Sequence, residues 1–234
     1  MKVGVIVFPG SNCDHDAYRA FKLIDGIEVT YLWHASHDLE NSDIIILPGG
    51  FAYGDYLRAG AIARFSPIMK KVIEFASGGG IVMGICNGFQ VLTESGLLPG
   101  ALMRNSNLRF VCRNVILRVE NDQTLLTSLT PKGTMLSIPV AHGEGGYYAD
   151  PMVLAELETN GQVLFRYVDQ SGVVTAGANP NGSINGIAGI MNKEGNVFAM
   201  MPHPERVCEP ILGSSDGLYL IKSLCTQVVA GGLH

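Results

Sequence analysis

Gly80-Ile81-Val82-Met83-Gly84-Ile85-Cys86-Asn87-Gly88-Phe89-Gln90 is the stretch around which the rest of the chain is read. An apolar run ends abruptly at Cys86, and Gly84 and Gly88 flank that cysteine symmetrically. Beyond it, Phe89, Val91 and Leu92 begin a helical pattern that stops at Gly96. The pattern predicts strand, tight turn, helix, with the cysteine at the turn where a nucleophile elbow carries its serine. Such a turn forces an unfavourable backbone conformation on its central residue and crowds its neighbours, so residues without side chains are needed on either side. The helix after it aims free N–H groups and a positive dipole end at the sulfur. A buried structural cysteine is the competing reading of the stretch taken alone.

Bulk properties bound the answer. The 234 residues suffice for one sizeable α/β domain, and at 47% hydrophobic and 16% charged they can bury a large core. No segment has the apolar length of a membrane span. Met1 to Phe8 reads as a strand running straight into structure rather than a signal peptide. A net charge of −5 without a basic cluster argues against a nucleic-acid partner. Five scattered cysteines (Cys13, Cys86, Cys112, Cys208, Cys225) offer no disulfide or zinc spacing and fit a reducing cytoplasm.

Working outward, Lys2–Phe8, Ile27–Trp33 and Asp43–Leu47 read as buried strands. Asp14 is expected to cap a helix carrying Ala17, Ala20, Phe21, Leu23 and Ile24. Helices are expected around Tyr56–Arg64 and Pro67–Ala76. Apolar strands alternating with helices predict a mostly parallel sheet covered by helices on both faces. Ligands of such sheets sit at the carboxyl ends of the strands, so Pro9-Gly10, Gly49-Gly50 and Cys86 should converge on one edge. The second half alternates and predicts additional antiparallel strands at Arg109–Val119, Thr134–Val140, Gly161–Asp169, Ile184–Met191 and Asn196–Met201, followed by a closing helix over Gly217–Val229. No linker, repeat or low-complexity segment divides the chain, so 1–234 reads as a single domain.

A cysteine hydrolase also needs a histidine to carry protons and a group to orient it. His203 and Glu205 alternate around Pro204 at a strand end, where the prolines fix the local backbone. The Gly49-Gly50-Phe51 turn offers backbone N–H groups that, with that of Asn87, suit an oxyanion hole; an ordinary glycine turn is the alternative. Gln90 stands one helical turn above Cys86, where it can read a carboxamide, or else faces solvent. Cys13, in a polar turn before a helix, is a candidate reactive thiol. Cys208 near His203 and Glu205 lacks a fourth ligand, so no metal is expected.

These residues carry a resemblance. Gly84 to Gln90 together with the distant His203-Pro204-Glu205 is similar to the class I, triad-type glutamine amidotransferases. More narrowly, Pro48 to Gly60, Ala141 to Gly145, Ala178 to Ser183 and Met201 to Arg206 resemble the glutaminase subunits of phosphoribosylformylglycinamidine synthases, and the likeness spans nearly the whole chain. It implies a flavodoxin-like amidotransferase fold. It implies that Cys86 attacks glutamine to form a glutamyl thioester, that His203 moves the protons and that Glu205 holds His203. Gly49 or Gly50 with Asn87 would stabilise the oxyanion, and Gln90 with backbone near His142, Gly143 and Glu144 would hold the substrate. Ammonia would pass to a separate synthetase subunit that uses ATP and Mg²⁺ to convert formylglycinamide ribonucleotide to its amidine, the purine-biosynthetic step, with a small accessory subunit in the complex. No cofactor is expected in this chain, which lacks a phosphate-binding Gly-x-x-x-x-Gly-Lys-Ser/Thr loop. Tyr53, Asp55, Tyr56 and Arg58 are candidates for the partner surface, or else a well-packed helix start. Peptidase-like relatives on the same sheet place histidine directly after the cysteine, where this chain has Asn87. Amidotransferases serving guanylate or anthranilate synthesis share the triad but not the Tyr53–Gly60 and His142–Gly145 stretches. A scaffold that has lost turnover is disfavoured by the intact Cys86, His203 and Glu205.

Overall fold

The computed structural model describes the backbone of residues 1–231 and side chains through residue 226. The chain runs β1 (Lys2–Val7), α1 (Asp14–Lys22), β2 (Glu28–Trp33), β3 (Ile44–Leu47), α2 (Pro67–Ser77), β4 (Ile81–Ile85) and α3 (Asn87–Glu94). It continues through β5 (Ala101–Met103), β6 (Val111–Val119), β7 (Met135–His142), β8 (Gly146–Tyr148), α4 (Pro151–Thr159), β9 (Val163–Val168), β10 (Ile187–Met191), β11 (Val197–Met200) and α5 (Asp216–Gly231). The expected closing helix is α5, although the side chain of Val229 lies outside the described residues, as do 232–234 of the expected domain.

One sheet carries both halves of the chain, in the order β2-β1-β3-β4-β11-β10-β9-β6-β7. From β2 to β11 the neighbours are parallel, and from β11 to β7 they are antiparallel. Every residue of β3, β4 and β11 is buried. Side chains alternate across a strand, so layers must cover both faces there, and the unbroken Ile-Ile-Ile-Leu and Ile-Val-Met-Gly-Ile runs match that requirement. β11 returns from the antiparallel half to pair with β4, setting Met200 opposite Ile85. Whatever follows these two strands therefore emerges side by side.

Three local expectations are corrected. Tyr56–Arg64 is not a helix: the segment is irregular between short turns at Ala52–Asp55 and Ala63–Phe65. Tyr53, Gly54, Asp55, Leu57 and Gly60 all have positive φ, which an α-helix cannot contain. Cys13, not Asp14, occupies the cap of α1, with Asp14 one place inside the first turn. Helix α4 and the small β5–β8 ribbon were not expected.

Candidate active site

Cys86 directly follows β4 and precedes α3, with φ 51° and ψ −104°. That conformation is costly for a residue with a side chain and persists only where its surroundings enforce it. They do. The Cys86 N–H donates to Met200 O at 2.8 Å, and its carbonyl accepts from Phe89 and Gln90 as the helix begins. The flanking glycines permit the close packing of α3 on the sheet. A Cβ on Gly88 would collide with the Leu47 carbonyl, and one on Gly84 would lie 2.6 Å from Leu92 Cδ1 and 2.8 Å from the Gly88 backbone.

Residues 201–205 leave β11 beside the elbow. The His203 N–H donates to Pro139 O at 2.8 Å, which anchors the turn. His203 and Glu205 are both buried, and His203 Nδ1 lies 2.6 Å from Glu205 Oε1. Burial works against a charged imidazole, but the Glu205 carboxylate and then the Cys86 sulfur outweigh it and raise the His203 pKa. Nε2 of His203 and Oε2 of Glu205 make no hydrogen bond among the described residues. The Cys86 sulfur is thus close enough to act on the charge of His203, although Nε2 makes no hydrogen bond to it. The Cys86 thiol instead points toward Ala141 O at 3.8 Å.

A cleft of about 200 Å³ opens onto Cys86, lined by Gly50, Phe51, Asp55, Gln90, Phe110, Ala141, His142, Gly143 and Glu144. Gly49 sits behind it, where a Cβ would come within 2.7 Å of His203 Cε1. The Phe51 N–H is taken by Gly10 O, whereas those of Gly50 and Asn87 donate to no acceptor among the described residues. The Asn87 side chain ties the elbow to the neighbouring loop. Its Oδ1 accepts the Ala52 N–H at 3.0 Å, and its Nδ2 donates to Asp55 Oδ1 at 3.2 Å and Gln90 Oε1 at 2.8 Å. Gln90 is buried rather than solvent-facing, and its Nε2 donates to Glu144 O.

The structure brings most of the sequence-predicted residues to this cleft but redistributes their parts. The His142 ring is held between Asn105 Oδ1 (3.1 Å) and Asn181 Nδ2 (3.4 Å). Burial, aided by the proximity of His203, lowers its pKa to about 4, so it stays neutral. Tyr53 turns inward, its hydroxyl 2.7 Å from His34 Nδ1 and 2.9 Å from Ser66 Oγ. Arg58 grips Glu94 with two hydrogen bonds, fastening the loop to α3. Asp55 faces the cleft, while Tyr56 and Leu57 are exposed at 74% and 91%.

Cys13 is corrected as a reactive thiol. Burial pushes it up to about 12 despite the pull of Arg206, whose Nη2 lies 3.0 Å from its sulfur. It is Cys13, not Cys208, that lies beside the histidine pair, with ligand atoms of Cys13, His203 and Glu205 within 4.8 Å of one another. Such atoms could hold a thiophilic metal, but His203 Nδ1 is already engaged by Glu205 and the guanidinium of Arg206 occupies the approach to the sulfur. Cys208 donates instead to Pro204 O at 3.2 Å. Sequence reading gave no site role to Phe110, Asn105 or Asn181: Phe110 stood in an expected strand, Asn181 in a stretch carrying the resemblance, and Asn105 in neither.

Comparison with known proteins agrees with this geometry. Residues 1–215 match the family model described as the CobB/CobQ-like glutamine amidotransferase domain. A protein of Salinibacter ruber named phosphoribosylformylglycinamidine synthase subunit PurQ is 57% identical over 97% of this chain and 97% of its own. One of that name from Chlorobaculum tepidum is 60% identical over 95% of each. Among solved structures, that of PurLQS from Thermotoga maritima aligns with a TM-score of 0.86 at 42% identity, covering 97% of this chain and 98% of that one. A glutamine amidotransferase from the same organism, 16% identical with a TM-score of 0.61 and 98% of each chain covered, shares the fold. The chain belongs to the CobB/CobQ-like glutamine amidotransferase family and, within it, to the PurQ-type glutaminase subunits of phosphoribosylformylglycinamidine synthase.

Proposed function

We propose that this chain hydrolyses the side-chain amide of glutamine and delivers the ammonia to a synthetase subunit that converts formylglycinamide ribonucleotide to formylglycinamidine ribonucleotide. The observation that carries this is Cys86 held at φ 51° at the start of α3, with the buried His203–Glu205 pair on the neighbouring strand's exit and close enough for the Cys86 sulfur to raise the His203 pKa. The Cys86 sulfur adds to the carboxamide carbon as its proton passes to His203. The resulting oxyanion meets the free N–H groups of Gly50 and Asn87, with Gly49 completing the turn. His203 then protonates the departing ammonia, leaving a glutamyl thioester, and takes a proton from the water that releases glutamate. Glu205 holds Nδ1 in its protonated form, which leaves Nε2 as the nitrogen that exchanges the proton with the sulfur. Gln90, Gly143 and Glu144, with the backbone at His142, wall the substrate's place.

The synthetase would supply the ATP and Mg²⁺ chemistry, and a small accessory subunit completes the complex; this chain needs no cofactor of its own. Tyr56 and Leu57 project beside the cleft mouth, and Phe51 and Phe110 present partly exposed rings 6.4 Å apart at its rim. Apolar side chains gathered at a site entrance suit a partner that receives the product there. We place the reaction in the cytoplasm, which suits five unpaired cysteines; no helix among the described residues is long and apolar enough to cross a membrane.

The deciding measurement is ammonia release from glutamine by wild type and Cys86→Ala, with and without synthetase, small subunit, ATP and formylglycinamide ribonucleotide. Activity that requires Cys86 and is weak without the partners is expected. Activity indifferent to those partners would assign the chain to another amidotransferase pathway, and none under any condition would make it a scaffold.

A further inference from the structure

The cleft beside Cys86 is walled by two carboxylates. Glu144 is partly satisfied: its Oε2 accepts the Ala59 N–H at 3.3 Å, and its Oε1 lies 3.5 Å from Nε of the largely exposed Arg104. Asp55 accepts only the Asn87 amide, through Oδ1 at 3.2 Å. Its Oδ2 has no hydrogen-bond partner among the described residues, although Asp55 is half-buried on the cleft wall. Burial and then the charge of Glu144 push the Asp55 carboxyl up to about 6, against the opposing pull of Asn87.

The backbone places Asp55 there at a cost. Tyr53, Asp55 and Leu57 adopt φ of 56°, 52° and 70°, the left-handed region that non-glycine residues avoid. Strain of this kind persists where surrounding structure over-determines a functional position. The enforcing group here is the side chain of Asn87, the residue after the nucleophile, which bonds both Ala52 N–H and Asp55. The distance from the Asp55 carboxylate to the Cys86 sulfur is thereby fixed through a single residue. At about 200 Å³ the cleft is smaller than those of drug-sized ligands and suits one amino acid.

We propose that Asp55, backed by Glu144, binds the α-ammonium group of the glutamine whose carboxamide is presented to Cys86, and so selects an amino acid over a plain carboxamide. This rests on the glutaminase reading above. Before binding, the carboxylate pair repels itself; the ammonium settles against Asp55 Oδ2 and relieves that repulsion. Charge-assisted hydrogen bonds of this kind are the strong ones, and a site built to pair a charged group rejects the analogue that lacks it.

The test compares ammonia release from L-glutamine and from glutaramate, the same five-carbon amide without the α-amino group, using the chain reconstituted with its synthetase partner. Wild type is expected to favour glutamine strongly in kcat/KM. In Asp55→Asn that preference should fall by roughly 10- to 100-fold, the range for one hydrogen bond to a charged group, with most of the change in the KM for glutamine. Asp55→Glu should keep part of it. A variant that loses activity toward both amides in equal proportion would overturn the proposal, since a structural role has that signature. Wild type that hydrolyses both amides equally well overturns it without reference to any variant's folding. Absence of ammonia release from either amide defeats the glutaminase reading itself.

Discussion

At the residue scale, the site depends on buried groups whose charge is set by their neighbours. Glu205 has one oxygen on His203 Nδ1 and the other without a partner among the described residues, so its contribution is to the tautomer and charge of His203. Glu205→Gln keeps the shape but reverses the hydrogen-bond logic. It is expected to lower kcat about 10³- to 10⁴-fold while leaving the KM for glutamine within a few-fold, as steady-state ammonia release would show. His142 makes a different prediction. Its folded pKa of about 4 lies below the unfolded value near 6.5, so between those values the unfolded state binds more protons and stability falls as pH falls. The loss should approach about 3 kcal/mol by pH 4, read from urea midpoints, and His142→Gln should flatten that part of the profile. The placement of Cys86 at a strand–helix turn and of His203 at a strand end was legible in the sequence because each rests on a local backbone device, a glycine-flanked turn and a Pro-His-Pro segment. The role of the His142 side chain was not, because its partners Asn105 and Asn181 lie 37 and 39 residues away along the chain.

Among the elements, the strand–turn–helix around Cys86 was the most readable, since its apolar run, its glycines and its helical period agree. The same agreement makes it brittle. An alanine at Gly88 would drive its methyl into the Leu47 carbonyl, and backbone cannot yield as a flexible side chain does. Gly88→Ala is expected to cost about 3 kcal/mol, the upper end for overpacking, visible as a lower urea midpoint at unchanged slope. The segment from Tyr56 to Arg64 was misread because apolar and charged residues recur there at helical spacing. The side chains that decide its path, Asn87, Glu94 and Glu144, all lie elsewhere in the sequence. Helix α4 went unseen although Asp150-Pro151 marks its start, since only Leu154 and Leu157 of its nine residues are buried and the apolar period is faint.

For the whole molecule, the parallel half followed from the alternation of apolar strands with helices, and the antiparallel half from alternating polarity. Their fusion into one sheet did not follow, because the return of β11 to β4 leaves no local mark. That return brings the His203 turn beside the elbow, so the site exists only when both halves have folded. Partner docking belongs at this scale too. Leu57, among the most exposed apolar residues, makes no structural demand that aspartate would violate except its φ of 70°, which aspartate tolerates. Leu57→Asp is expected to leave the unfolding free energy from urea titration unchanged within about 0.5 kcal/mol and to reduce stimulation of ammonia release by the synthetase at least ~10-fold. Equal stimulation would place the docking surface elsewhere. The thiol of Cys13, protonated and shielded beside His203 and Glu205, carries a further use. An S–H stretch absorbs where the rest of a protein is nearly silent in the infrared, and its frequency follows the local electric field. The molecule thus contains its own field probe: charge arriving on or leaving His203 during a turnover should shift the Cys13 band, with Cys13→Ala as the blank.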